Sequence, residues 1–120
     1  MFLKGRGMAY KLCDNWFDLI DKDKYENKQI NYLEIGCFYG GNLLSVEQTY
    51  CKHNDSRLYA IDPWEDYEDY KENNGNQSEI YNIFLENIKL TEKEEKFIIK
   101  RGFSDKVVPM LPEEFFDIIY

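Results

Sequence analysis

Apolar positions along the 120-residue chain fall into two rhythms, and the rhythms alternate. Ala9, Leu12, Cys13, Trp16, Phe17 and Ile20 recur at steps of three and four. That is the period of an amphipathic helix. The polar run DKDKYENKQ then reads as a connector. INYLEI is short and almost wholly apolar, and it predicts a buried strand over residues 30–35. Leu43, Val46 and Tyr50 form a second helical stripe, which KHNDS stops. RLYAID predicts a second strand over 57–62, closed by Pro63. PWEDYEDYKENNGNQ, acidic and then rich in Asn and Gly, reads as loop. Ile80, Phe84 and Ile88 are spaced for a third helix, and KFIIKR for a third strand. SDKVVPML predicts a short helical turn with Ser104 as its N-cap and Pro109 distorting or ending it. EFFDIIY predicts a fourth strand that runs to the last residue.

Strands that alternate with helices imply right-handed βαβ units and an α/β fold with a parallel sheet. The chain is long enough for one domain with a single core, and residues 1–28 form its N-terminal helical segment. A parallel sheet expects a covering helix after each strand, yet the sequence stops at Tyr120 inside an apolar run. The expectation is the front part of a larger domain, or one truncated at its C-terminal end.

A formal net charge of −8 repels phosphate backbones and anionic lipid surfaces, so neither nucleic acid nor membrane is an expected partner. Aromatic residues make up 17% of the chain, with few basic residues interleaved, which fits core packing rather than base stacking. Cys13, Cys37 and Cys51 are odd in number and form no CxxC pair, so a disulfide framework and a thiolate zinc site are disfavoured. No segment approaches the roughly 20 apolar residues of a membrane span, and MFLKGRGMAY has no run fit for a signal peptide. A reducing cytoplasm is the expected setting.

Candidate chemistry concentrates at predicted strand ends, where open parallel sheets bind their ligands. Glu34 ends the first strand and is followed by Gly36, Gly40 and Gly41; Asp62 ends the second; Gly102-Phe103-Ser104 follows the third. The glycine spacing departs from the dinucleotide fingerprint GxGxxG, because Phe38 stands at its second glycine. An acid just before the glycines suits a cationic or amine-bearing ligand better than a diphosphate. Glycines there let a ligand approach the backbone without meeting a Cβ.

Four segments in order, YLEIGCFYGGNLL, LYAIDPW, RGFSDKVVPML and FFDIIY, span residues 32–120. Together they resemble the opening motifs of class I S-adenosylmethionine-dependent methyltransferases. Within that family they are most similar to the small-molecule O-methyltransferase branch, with its catechol-type and macrolide-sugar-type enzymes. The resemblance implies a Rossmann-like methyltransferase fold of which four strands are present. It implies S-adenosylmethionine as cofactor and methyl transfer to a small-molecule acceptor, an oxygen. Glu34 and Gly36 match the first motif, whose loop wraps the methionine part of the cofactor, and Tyr39, Gly40 and Gly41 continue that loop. Asp62 matches the acid that accepts hydrogen bonds from the ribose hydroxyls, and Ser104, with Gly102 and Phe103, the segment that borders the adenine. Trp64 and Phe103 either sandwich the adenine or pack in the core. Asp117 matches an acid of the fourth motif with a structural role. In metal-dependent relatives an acid directly after the fourth strand binds magnesium, so the ligands for magnesium and the catalytic residues would lie beyond residue 120.

Each candidate has a plainer reading. Glu34 could make only a local backbone bond, Asp62 could initiate the turn before Pro63, and Ser104 could serve as a cap. The acids Asp62, Glu65, Asp66, Glu68, Asp69 and Glu72 lack EF-hand spacing and read as a solvated loop. Cys37 has no histidine near it in sequence and reads as a small half-buried side chain, and His53 as a surface residue. Two rival functions remain: a nucleotide-binding oxidoreductase with an aberrant fingerprint, and a non-catalytic methyltransferase-like module or remnant. Assembly with further copies is left open.

Overall fold

A computed structural model describes residues 12–66 and 75–120. Ala9 of the first helical stripe, and Glu68, Asp69 and Glu72 of the acidic run, lie outside them. Four parallel strands form one sheet: β1 (Asn31–Ile35), β2 (Arg57–Asp62), β3 (Phe97–Arg101) and β4 (Ile118–Ile119), in the spatial order β3-β2-β1-β4. The order reverses at β1, which pairs with β2 on one side and β4 on the other. That reversal is the switch point at which doubly wound sheets open a crevice.

Register divides the sheet into two unequal faces. Tyr32 lies beside Leu58 and Ile118, and Leu58 beside Phe97, so these four share one face. The main core sits there. The helix α2 (Gly41–Glu47) contributes Leu43, Leu44 and Val46, and α3 (Gln77–Leu90) contributes Ile80, Phe84 and Ile88. Burying such side chains stabilises by roughly 1.5–3 kcal/mol each. On the other face Tyr59 meets Phe115 and Phe116 edge-on, with ring centroids 5.7 and 5.0 Å away.

Several expectations are corrected. Among the described residues the N-terminal stripe forms a 3₁₀ segment, Leu12–Trp16, and no helix continues to Ile20. The polar connector contains a short helix, α1 (Lys22–Tyr25), because Asp21 caps it by accepting a bond from the Asp23 N–H. Ser104 is the first residue of α4 (Ser104–Val107) and not its cap; Phe103 holds the cap position, and no side chain caps the helix there. Pro109 lies in the 3₁₀ turn Val108–Met110 that ends this segment. The fourth strand is two residues long rather than seven, since Phe115 and Phe116 are drawn onto Tyr59 instead of extending the ladder. Asp117 joins that short strand to the sheet: its Oδ2 accepts from the Asn31 N–H at 2.8 Å.

Lys96 directly precedes β3, and its ammonium is buried against Glu47 Oε1 at the end of α2, 3.0 Å away. It also donates to the Cys51 carbonyl. The pair thus ties the end of α2 to the start of β3. Removing one member of a buried pair leaves the other charge uncompensated. Lys93, half exposed and 3.6 Å from the same oxygen, offsets part of that loss. Lys96→Met is expected to lower unfolding stability by about 3 kcal/mol in urea titrations. The double variant Lys96→Met/Glu47→Leu should regain most of it. An unchanged midpoint in the single variant would show the pair to be energetically idle.

Candidate functional site

The three strand ends singled out in the sequence converge. The Gly36 N–H donates to the Ile61 carbonyl at 2.8 Å, and the Gly102 N–H to the Asp62 carbonyl at 3.0 Å. The turns after β1 and β3 are therefore both stitched to the end of β2.

Asp62 organises the loop between β1 and α2. Its Oδ2 accepts from the N–H groups of Cys37, at 2.9 Å, and Phe38, at 3.1 Å. Its Oδ1 accepts from the Trp64 N–H at 2.8 Å. The loop needs this support because its backbone is unusual. Gly36 and Gly40 have φ of 86° and 92°, natural only for glycine. Phe38, at φ 56°, adopts the left-handed region without being glycine, and so does Trp64 at 46°. Such residues persist only where their surroundings over-determine them. Here the Phe38 carbonyl accepts from the Trp64 indole at 3.0 Å, and the Tyr39 carbonyl from the Asn87 amide at 3.0 Å. A Cβ on Gly40 would stand 2.9 Å from the Phe84 ring, so α3 packs directly on that glycine. A Cβ on Gly36 would meet nothing within 4 Å, which leaves the approach to the Gly36 backbone open.

The amides of this loop are mostly committed to the protein. Gly36, Cys37, Phe38 and Gly40 all donate to protein acceptors. A pyrophosphate is held by free N–H groups at such a turn. The geometry therefore argues against the dinucleotide-binding rival on grounds independent of spacing.

Glu34 lies beneath the loop rather than facing solvent. Register places it beside Ala60, on the same face as Tyr32. Its Oε1 accepts from the Tyr32 hydroxyl and the Asn42 amide, each at 2.7 Å. Burial pushes its pKa up to about 7, against the opposing effect of those two bonds. Burial first, and then Glu34, also raises the Tyr32 hydroxyl, which stays protonated as a donor. Cys37 is buried in the same place, and loss of water raises its thiol well above the usual range. A neutral thiol is a poor nucleophile, in agreement with the structural reading of Cys37. All three cysteines are free and buried.

The remaining candidates divide by exposure. Gly36, Phe103 and Ser104 are exposed, Tyr39 and Asp62 are half-buried, and Gly40, Gly41 and Trp64 are buried. Trp64 packs 4.6 Å from the Phe84 ring and 4.8 Å from Tyr81. Arg101, which the sequence did not single out, stacks over Tyr81 at 4.2 Å and donates to the carbonyls of Pro63 and Trp64. A groove of about 270 Å³ runs beside it, lined by Trp64, Glu65, Asp66, Gln77 and Ser78 among others. Asn87 was also missed, because one polar residue in the stripe Ile80, Phe84, Ile88 looks like noise until its partner is known. Among the described residues no group of three or more His, Cys, Asp or Glu side chains is placed to hold a metal. Nor is any helix among them long and apolar enough to cross a membrane.

No family model and no curated protein matches the chain. A solved structure does: the SAH-bound methyltransferase PaMTH1 of Podospora anserina, with a TM-score of 0.63 at 19% sequence identity. The match covers 93% of this chain and 40% of that one. The four-stranded parallel sheet with its flanking helices is thus a Rossmann-like methyltransferase fold.

Glu34 provides a test of the buried hydrogen-bond cluster. Its raised pKa means that the folded protein holds this proton more tightly than the unfolded chain does. The associated stability is complete below the ordinary carboxylate value of about 4.5 and is lost as pH rises through about 7. Relative to Glu34→Gln, which keeps an oxygen acceptor for Tyr32 and Asn42, the native protein should lose about 3 kcal/mol across that window. Urea unfolding at a series of pH values measures the difference. Parallel pH profiles for the two proteins would mean that Glu34 is not desolvated.

Proposed function

We propose that the chain is the S-adenosylmethionine-binding part of a methyltransferase acting on a small-molecule acceptor, at oxygen. The observation that carries this reading is the meeting of a half-buried Asp62 carboxylate and an unobstructed Gly36 backbone at the switch point of a methyltransferase fold. The four ordered motifs favour the O-methyltransferase branch.

The residues present fit the cofactor. A carboxylate offers about four acceptor positions. Backbone amides take three of them at Asp62, which leaves one on Oδ1 for a ribose hydroxyl. A second hydroxyl bond would take the place of a loop amide. The positive-φ turn at Gly36 admits the amino-acid end close to the backbone, and Phe103 and Ser104 stand exposed beside the Gly102 turn for the adenine. Glu34, Asn42 and Tyr32 support the loop from below. Trp64 buttresses it through its indole N–H and is among the residues that line the groove beside Arg101. When bound, the cofactor supplies an electrophilic methyl group on a sulfonium, and the chain's part is to bind and orient it. The described residues include no cluster of acids, histidines or cysteines that fits magnesium.

Titration of the intact protein with S-adenosylhomocysteine should give saturable binding, and no heat at millimolar ligand would overturn the reading. Asp62→Ala should weaken that binding by about 1.5–3 kcal/mol through loss of a charge-assisted bond. The affinity must be read on the folded fraction, because the same substitution frees the loop amides. Unchanged affinity would remove Asp62 from the site.

A non-catalytic methyltransferase-like module is the second reading. An apolar margin along β4, with Leu19, Ile119 and Tyr120 exposed, favours it. Binding of S-adenosylhomocysteine without methyl transfer to any phenolic or sugar hydroxyl acceptor would support the module over the enzyme.

A further inference from the structure

Two consecutive carbonyls of the β1–α2 loop are each held by a donor from a distant part of the chain. Trp64 holds that of Phe38, and Asn87 that of Tyr39, 48 residues away in sequence. Asn87 is wholly buried on α3, on the face that also carries Phe84 and Ile88. A buried amide among apolar neighbours is costly unless bonded. Its bond to Tyr39 satisfies the amide nitrogen and so helps a polar residue to be tolerated in that stripe. In a trans peptide the C=O and N–H point in opposite directions. With the Phe38 carbonyl drawn toward the indole, the Tyr39 N–H is turned to the other side of the loop. Of the amides from Gly36 to Gly40 it is the one that meets no acceptor among the described residues.

We propose that Asn87 is a positioning residue of the ligand loop: Trp64 sets the peptide that carries the Tyr39 N–H, and Asn87, by holding the Tyr39 carbonyl, fixes the peptide that follows, so that the two together keep the Tyr39 N–H presented as the donor for an acceptor group of the bound ligand, which Asn87 itself never touches. The proposal rests on the reading of the site as a cofactor site, and the carboxylate at the amino-acid end of that cofactor is the acceptor of matching chemistry. Phe84 acts with Asn87, since its ring against Gly40 blocks the loop from relaxing toward α3.

The test compares Asn87→Leu, similar in volume but without a donor, with Ile88→Val, one position along the same helix, whose side chain has no group to hydrogen-bond the loop. Both should lower thermal stability. Only Asn87→Leu should weaken S-adenosylhomocysteine binding, by roughly fivefold, the worth of one hydrogen bond. Without ligand, amide exchange at Cys37, Phe38 and Gly40 should accelerate in Asn87→Leu, while the β2 amides of Leu58 and Ala60 keep their protection. If Asn87→Leu does not fold, Asn87→Ser, which is too short to reach the carbonyl, takes its place. Native affinity with unchanged loop exchange in these variants overturns the positioning role and leaves the site reading standing. Failure of the unmodified protein to bind overturns the site reading, and the positioning role falls with it.

Discussion

A single carboxylate holding two adjacent amides is the contact on which the site depends. The β1–α2 loop contains three residues with backbone that an ordinary chain avoids or leaves to glycine, Gly36, Phe38 and Gly40, and Trp64 after β2 is a fourth. Left alone, such a loop would sample many shapes. Asp62 fixes it by accepting from Cys37 and Phe38 on one oxygen and from Trp64 on the other. The same acid therefore sets both turns that border the crevice. Its position at the last residue of β2 follows from the ladder, whose register with β1 brings the two strand ends level.

Around that contact the polar groups form a graded series of environments. Asp62 keeps access to solvent, and Glu34, two residues before the position level with Asp62 on the neighbouring strand, does not. One acid keeps a side toward solvent while the other is bonded to Tyr32 and Asn42 beneath the loop. Sequence alone gives both as strand-end acids. Burial separates them, because loss of water makes charge expensive for Glu34, whereas Asp62 is only half-buried.

Much of the fold was legible in the chain because its signals are local. β2 follows from RLYAID and the closing proline, and α3 from the spacing of Ile80, Phe84 and Ile88. β4 was overdrawn because an apolar run carries no record of where its side chains will pack. Phe115 and Phe116 are as strand-like as Ile118, yet Tyr59 claims them. The site shows the same division. Gly36 and Asp62 announce themselves through residue type and place, whereas Asn87 acquires meaning only from a carbonyl half the chain away. Lys96 likewise reads as the polar start of a strand until Glu47 is found beside it.

Phe38 has one more consequence, for how this segment tolerates change. Its left-handed backbone excludes β-branched replacements whatever their polarity, while glycine, asparagine and aspartate fit that conformation with little strain. Its ring, however, leans on Tyr39 with centroids 4.4 Å apart, and none of those three supplies an aromatic surface. Drift at position 38 is thus squeezed between two incompatible demands, one made by torsion and the other by contact. A phenylalanine satisfies the second while bearing strain for the first, and that compromise hides a glycine-like turn from any pattern that looks for glycine.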